Sequence, residues 1–139
     1  MHMAEFLFFL SNHPILTGLW VLFFCGILLY HRGTSASSVS VQQAILLVNR
    51  SEGVVLDIRD KKEFDAGHIV DAINIPASKL EQRMVELSKY KKTPVIVVCK
   101  LGQQSGDVAK KLTVAGHEEV VRLGGGISEW QAQSLPLIS

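Results

Sequence analysis

The stretch Pro94–Leu112, PVIVVCKLGQQSGDVAKKL, decides how the rest of the chain is read. Val95 to Val98 is an unbroken β-branched run, the composition of a strand buried on both faces. Cys99 stands where that strand ends. A loop containing Gly102 follows. From Ser105 the apolar positions Val108, Leu112 and Ala115 recur at helical spacing until Gly116, a natural helix stop. Strand, loop and helix in this order form half of a parallel crossover unit. A sheet of such units is covered by helices on both faces, and its ligands gather beyond the carboxyl ends of the strands. Cys99 and its loop therefore occupy the place where chemistry is expected.

The same alternation extends outward in both directions. Downstream, Val120–Leu123 reads as a strand, Gly124–Gly126 as a turn and Ile127–Gln133 as a last helix. Upstream, Val54–Ile58 is an apolar run with one charge, Asp57, and Lys61–Asp65 is a short polar helix or turn. Ala72–Ile75 is a short strand that stops at Pro76. Lys79–Tyr90 places Leu80, Met84 and Leu87 on one helical stripe. Ser40 and Gln43 have the spacing of a capping box for a short amphipathic helix. The fold class is α/β, with a mostly parallel central sheet flanked by helices over residues 41–139, about 100 residues and enough for one core.

Several chemistries are excluded early. Fourteen Lys and Arg against 13 Asp and Glu leave a formal charge of +1, which argues against a dedicated nucleic-acid binder. Two cysteines cannot build a disulfide framework or a four-Cys zinc site. His2, His13, His31 and His117 show no metal spacing, no phosphate-loop or dinucleotide fingerprint is present, and no cofactor or metal is expected. The loop Lys100, Leu101, Gly102, Gln103, Gln104, Ser105 is different. A turn at Gly102 can aim backbone N–H groups inward, the following helix adds positive potential at its N-terminus, and Lys100 adds charge. Together these favour thiolate and suit a charged adduct on sulfur. On the residues alone, an inert buried cysteine at a strand end stays open beside this. A phosphatase of C-x5-R type would need Arg at position 105, where Ser105 stands. Asp57 is expected in an ion pair or buried hydrogen bond, and Arg59 and Glu63 to pair with each other or with Asp57. His68 is expected as a hydrogen-bonded turn residue, Trp130 as core, and Gly124–Gly126 as a tight backbone path near the loop.

In combination these residues carry a resemblance. VVLDIRDKKEFDAGHIVDAINIP, then VVCKLGQQS, then LGGGISEW resemble in order and spacing the signature of rhodanese-like domains over roughly residues 41–139. The resemblance implies a sulfurtransferase in which Cys99 carries sulfane sulfur as a persulfide and Lys100–Ser105 cradle it. Asp57, Arg59, Glu63 and His68 would be supporting residues, and the partners a sulfur donor and a thiol acceptor. The commonest loop of that family has basic residues just after the Cys and five positions beyond it. Lys100 and Gln104 stand there, which weakens the handling of a dianion such as thiosulfate more than that of a neutral or persulfide donor.

The first thirty residues are another object. They contain no Lys or Arg and five of the six Phe. Pro14–Tyr30, PILTGLWVLFFCGILLY, has no charged side chain and, as a helix, rises about 25 Å, just inside the range for a spanning helix. Asn12, His13 and Pro14 look like a helix start, while Phe6–Leu10 either extends the span or lies in the interface. The expectation is a membrane segment at 1–32 with one transmembrane helix at about 14–30. Residues 33–40, GTSASSVS, follow as a flexible linker. This part is similar to the membrane-anchored single-domain rhodaneses of bacteria. That implies a single-pass protein of the inner membrane, and Arg32 places the C-terminal domain in the cytoplasm. Two rival functions remain from the sequence. The domain is either a membrane-tethered adaptor for another membrane protein, with a vestigial cysteine, or a redox sensor using Cys99.

Overall fold

A computed structural model of the chain describes residues 2–34 and 36–139. They fall into two units, Met1–Ser35 and Ala36–Ser139.

In the first unit α1, His2–Asn12, meets α2, Pro14–Thr34, at His13. The break has a local cause. Pro14 has no N–H to give the carbonyl of Leu10, and its ring crowds that carbonyl. The Thr17 hydroxyl lies 2.9 Å from the His13 carbonyl oxygen and 3.3 Å from that of Leu10. No single helix among the described residues is long and apolar enough to cross a membrane. His2–Asn12 and Pro14–Tyr30 meet that measure only as a pair, bent by 100°. The single span expected over 14–30 is thus not shown by one helix; the apolar stretch reaches the measure only together with His2–Asn12. Both helices leave most of their large side chains exposed, among them Phe6, Trp20 and Leu29.

The second unit is a parallel sheet of five strands in the order β1-β5-β4-β2-β3. The strands are β1 Ser38–Val39, β2 Val54–Asp57, β3 Ile73–Asn74, β4 Val95–Val98 and β5 Val120–Leu123. Every pairing is parallel. The expected mixture is therefore a wholly parallel sheet among its named strands. β4 lies in the middle, and all four of its residues are fully buried. Val95 and Val97 join one core layer with Leu56, Leu80, Leu87 and Leu112. Ile96 and Val98 join the other with Val55, Leu123 and Ile127. The period of two thus feeds two cores from one strand.

Helices α3 Val41–Ser51, α4 Lys61–Ala66, α5 Leu80–Arg83, α6 Ser105–Val114 and α7 Gly126–Ala132 complete the unit. The capping box at α3 is present: the Ser40 hydroxyl accepts from Gln43 N–H, and the Gln43 side chain accepts from Ser40 N–H at 2.9 Å. α6 stops as its sequence suggests. Gly116 is left-handed, and His117 N–H closes on the Leu112 carbonyl.

Two expectations change. Lys79–Tyr90 is not one helix: 3₁₀ turns at Ala77–Lys79 and Met84–Tyr90 flank the four-residue α5. Winding at three residues per turn sets Arg83 beside Glu86, joined at 2.8 Å, while Leu80 and Leu87 still reach the core. The stretch 33–40 is not a flexible linker throughout. Gly33 and Thr34 continue α2, and Ser38 and Val39 pair with Arg122 and Leu123. Ser35 lies outside the described residues. The edge of β5 offers unpaired backbone groups, and pairing there outweighs the poor strand propensity of serine.

Candidate active site

The carboxyl ends of β3, β2 and β4 surround a cavity of about 430 Å³. Each strand sends a different segment into its wall. β2 contributes Ile58, Arg59 and Asp60, and α4 beyond it contributes Glu63. The turn after β3 contributes Ala77 and Ser78, and the loop after β4 contributes Cys99, Lys100, Leu101, Gln103 and Gln104.

Cys99 sits at the junction of two environments. The residue is only 3 % exposed and packs in the core layer that contains Leu56 and Val97. The residue nevertheless lines the cavity, and its sulfur accepts a hydrogen bond from Gly102 N–H at 2.9 Å. The loop that makes this bond is held from below. Ser105 is fully buried and gives its hydroxyl proton to the Gly102 carbonyl at 3.0 Å. Ile127 and Ser128 N–H bind the carbonyls of Cys99 and Lys100 at 2.9 and 3.1 Å, so the start of α7 pins the loop backbone. Gly126 has a positive φ of 59°, and a Cβ there would overlap the Cys99 carbonyl. The Gly-rich turn is therefore required by close approach of backbone to backbone. Gly102 and Ser105 shape the loop from outside the cavity wall.

Asp57 and Arg59 pair with each other beneath the cavity. Asp57 is 1 % exposed. Its carboxylate accepts from Arg59 Nη2 at 2.7 Å, from Nε at 3.0 Å and from the Arg59 backbone N–H at 3.0 Å. Arg59 Nη2 also donates to the Gly67 carbonyl at 2.8 Å. This buried, bidentate pair satisfies the charge of both partners. Asn74 donates to the carbonyls of Asp57 and Arg59 and locks β3 to the turn. His68 stacks on Phe64 at 3.8 Å, and its Nδ1 lies 2.8 Å from the Phe64 carbonyl. His68 therefore braces the end of α4, outside the cavity wall. Trp130 is partly buried against the second core layer and donates to the Pro136 carbonyl.

Glu63 behaves differently from expectation. It pairs neither with Arg59 nor with Asp57. It reaches Lys100, with Oε1 3.7 Å from Nζ. Asp57 already fills the guanidinium fork, so the only ammonium on the cavity loop takes the second carboxylate. Asp60 and Ser78, which the sequence did not single out, also line the wall. A signal was present for both: Asp60 lies three residues beyond the end of β2, in D-I-R-D, and Ser78 four beyond the end of β3, in N-I-P-A-S. Among the described residues, no group of three His, Cys, Asp or Glu side chains is arranged to hold a metal ion. The arrangement offers instead one cysteine in the wall of an open cavity, with a backbone donor on its sulfur.

Known proteins carry the same pattern. The sequence pattern of the Rhodanese-like domain matches residues 40–133. An uncharacterized protein of Escherichia coli K12, YibN, is 36 % identical over 140 residues, covering 98 % of both chains. The thiosulfate sulfurtransferase GlpE of Tolumonas auensis is 36 % identical over 93 residues, 67 % of this chain and 86 % of that protein. Among solved structures, a rhodanese-related protein from Thermoplasma volcanium is similar at 29 % identity, with a TM-score of 0.63 over 73 % of this chain and 97 % of its own. A parallel five-stranded sheet, a cysteine at the end of its central strand and these matches agree: the chain belongs to the rhodanese-like domain family.

Proposed function

We propose that this protein is a membrane-anchored sulfurtransferase that carries sulfane sulfur as a persulfide on Cys99. One observation carries the reading: Cys99 lines a cavity of mixed polar and apolar wall, and its sulfur accepts a hydrogen bond from Gly102 N–H. A donor thiosulfate would react by attack of the Cys99 thiolate on its outer sulfur. The sulfur–sulfur bond breaks, sulfite leaves with the electron pair, and the cysteine keeps the sulfur as an anionic persulfide. An acceptor thiolate then attacks the outer sulfur of that persulfide and returns Cys99 as thiolate. The loop amide serves a sulfur anion in both states, and no separate base is required once the thiolate exists. The thiosulfate sulfurtransferases among the relatives support the class of reaction.

The anchor in this reading is the pair α1 and α2. Their exposed Phe, Leu and Trp side chains would each be costly in water and favourable in lipid. Arg32, following the apolar run, favours a cytoplasmic position for the C-terminal unit at a bacterial inner membrane. The test uses detergent-solubilised full-length protein and a sulfane donor. Intact mass should rise by one sulfur atom, mapped to Cys99, and Cys99→Ser should show no rise. A folded protein that takes no sulfur from thiosulfate or from any alkyl persulfide would overturn the reading in favour of a tethered adaptor.

A further inference from the structure

We propose that Glu63 sets the donor class of the Cys99 site: by engaging Lys100 it turns the cavity against dianionic donors and toward a persulfide donor that carries its own cationic group. The inference rests on the sulfur-carrier reading above and adds to it the identity of a specificity residue.

The charges around the cavity decide the matter. Two cations, Arg59 and Lys100, stand against three carboxylates, Asp57, Asp60 and Glu63. Arg59 is spent on Asp57 and on the Gly67 carbonyl. Lys100 faces Glu63 at 3.7 Å. Asp60 remains as an exposed carboxylate on the wall. Gln104, also on the wall, adds no charge. The cavity is thus net acidic before the Cys99 thiolate is counted. A dianion entering it meets like charge on two sides, and one ammonium whose field a neighbour already cancels. The Lys100–Glu63 contact is long and solvent-exposed, so it contributes little to stability. Its importance lies in the field at the reacting sulfur, where a carboxylate lining the same cavity opposes an anion whether or not it holds Lys100 tightly. A donor whose sulfur lies near an ammonium group reverses both effects, since Asp60 and Glu63 become its partners. 2-Aminoethyl persulfide is such a molecule. The Cys99 thiolate attacks its outer sulfur, the sulfur–sulfur bond breaks, and 2-aminoethanethiolate leaves with the electron pair.

The experiment compares thiosulfate with 2-aminoethyl persulfide on full-length protein, reading kcat/KM for loading of Cys99. In Glu63→Gln, the ratio of thiosulfate to aminoethyl persulfide should rise about three- to tenfold, as expected for removal of one charge near an anionic reactant. Asp60→Asn should shift it the same way, and Lys100→Gln the opposite way. Added salt supplies a readout that a packing defect would not move. Screening should raise the thiosulfate rate of the native protein and raise it less, or lower it, in Glu63→Gln. If both donors load Cys99 and neither the ratio nor the salt slope changes in Glu63→Gln, the inference is overturned and the sulfur-carrier reading stands. Failure of every donor to load Cys99 overturns the carrier reading itself, and the inference with it.

Discussion

At the scale of single residues, two kinds of charged contact surround the same sulfur and they predict opposite mutational behaviour. Asp57 is buried and holds Arg59 through a bidentate contact, so Asp57→Asn leaves a guanidinium in the interior without its counter-charge. The expected loss is about 3–5 kcal/mol in urea unfolding. Glu63→Gln, at a half-exposed pair, should cost less than about 0.5 kcal/mol in the same measurement. Equal losses from the two would contradict the assignment of one pair to the scaffold and the other to the field of the cavity. Gly126→Ala should cost about 3 kcal/mol or more and abolish sulfur loading, because the new methyl displaces the Cys99 carbonyl from its α7 donor, Ile127 N–H. The glycine was legible as a tight turn, and Asp57 as a buried acid. The pairing of Glu63 with Lys100 was not. It joins residues from different crossover units, and nothing in local spacing says which cation a helix-borne carboxylate reaches once a nearer one is taken.

Among the elements, those with local determinants were the readable ones. β4 announces itself by composition, α6 by its period and its Gly116 stop, and α3 by Ser40 and Gln43. The last of these is open to measurement. Ser40→Ala removes the acceptor for Gln43 N–H and should lower stability by about 1 kcal/mol, while Ser40→Asp restores the acceptor and most of the loss. Failure of aspartate to rescue would mean that the hydroxyl works elsewhere than at the cap. Other elements depend on a distant surface. Ser38 and Val39 become a strand because β5 presents an open edge, which no property of a serine-rich stretch foretells. Residues 77–90 split into short turns because Leu80 and Leu87 must both reach the core beside β4, whereas the stripe alone suits a regular helix equally well. The bend at His13 was half legible: Pro14 was visible as a helix start, while the sequence leaves the segment before it, Phe6–Leu10, open between a longer span and an interfacial run.

For the whole molecule, the sheet and its two core layers lie wholly within the second of the two units, and the proposed anchor within the first. On the anchored reading, full-length protein should stay with membranes in alkaline carbonate washes, and a chain lacking residues 1–34 should be released. Release of the full chain would remove the anchor. The stability of the second unit has its own pH dependence, set far from the sulfur. His117 follows the C-terminus of α6, is 3 % exposed, and its Nδ1 has no hydrogen-bond partner among the described residues. Burial pushes its pKa below the ordinary 6.5, the Tyr90 backbone opposes this through a hydrogen bond, and the charge of Lys91 adds to the lowering. The sign follows from proton counting. Below pH 6.5 the unfolded chain binds a proton at this imidazole more readily than the folded one, so the free energy of unfolding falls as the pH falls. The loss begins near 6.5 and continues until the folded histidine also protonates. Urea unfolding between pH 7.5 and 5 should therefore show stability declining toward acid, and His117→Asn should flatten the slope even if it lowers stability throughout. An unchanged slope in the variant would show that the buried imidazole is not the group responsible. Because His117 is not among the residues lining the cavity, sulfur loading assayed on the folded variant should keep its wild-type pH profile, so that the stability slope and the activity profile separate.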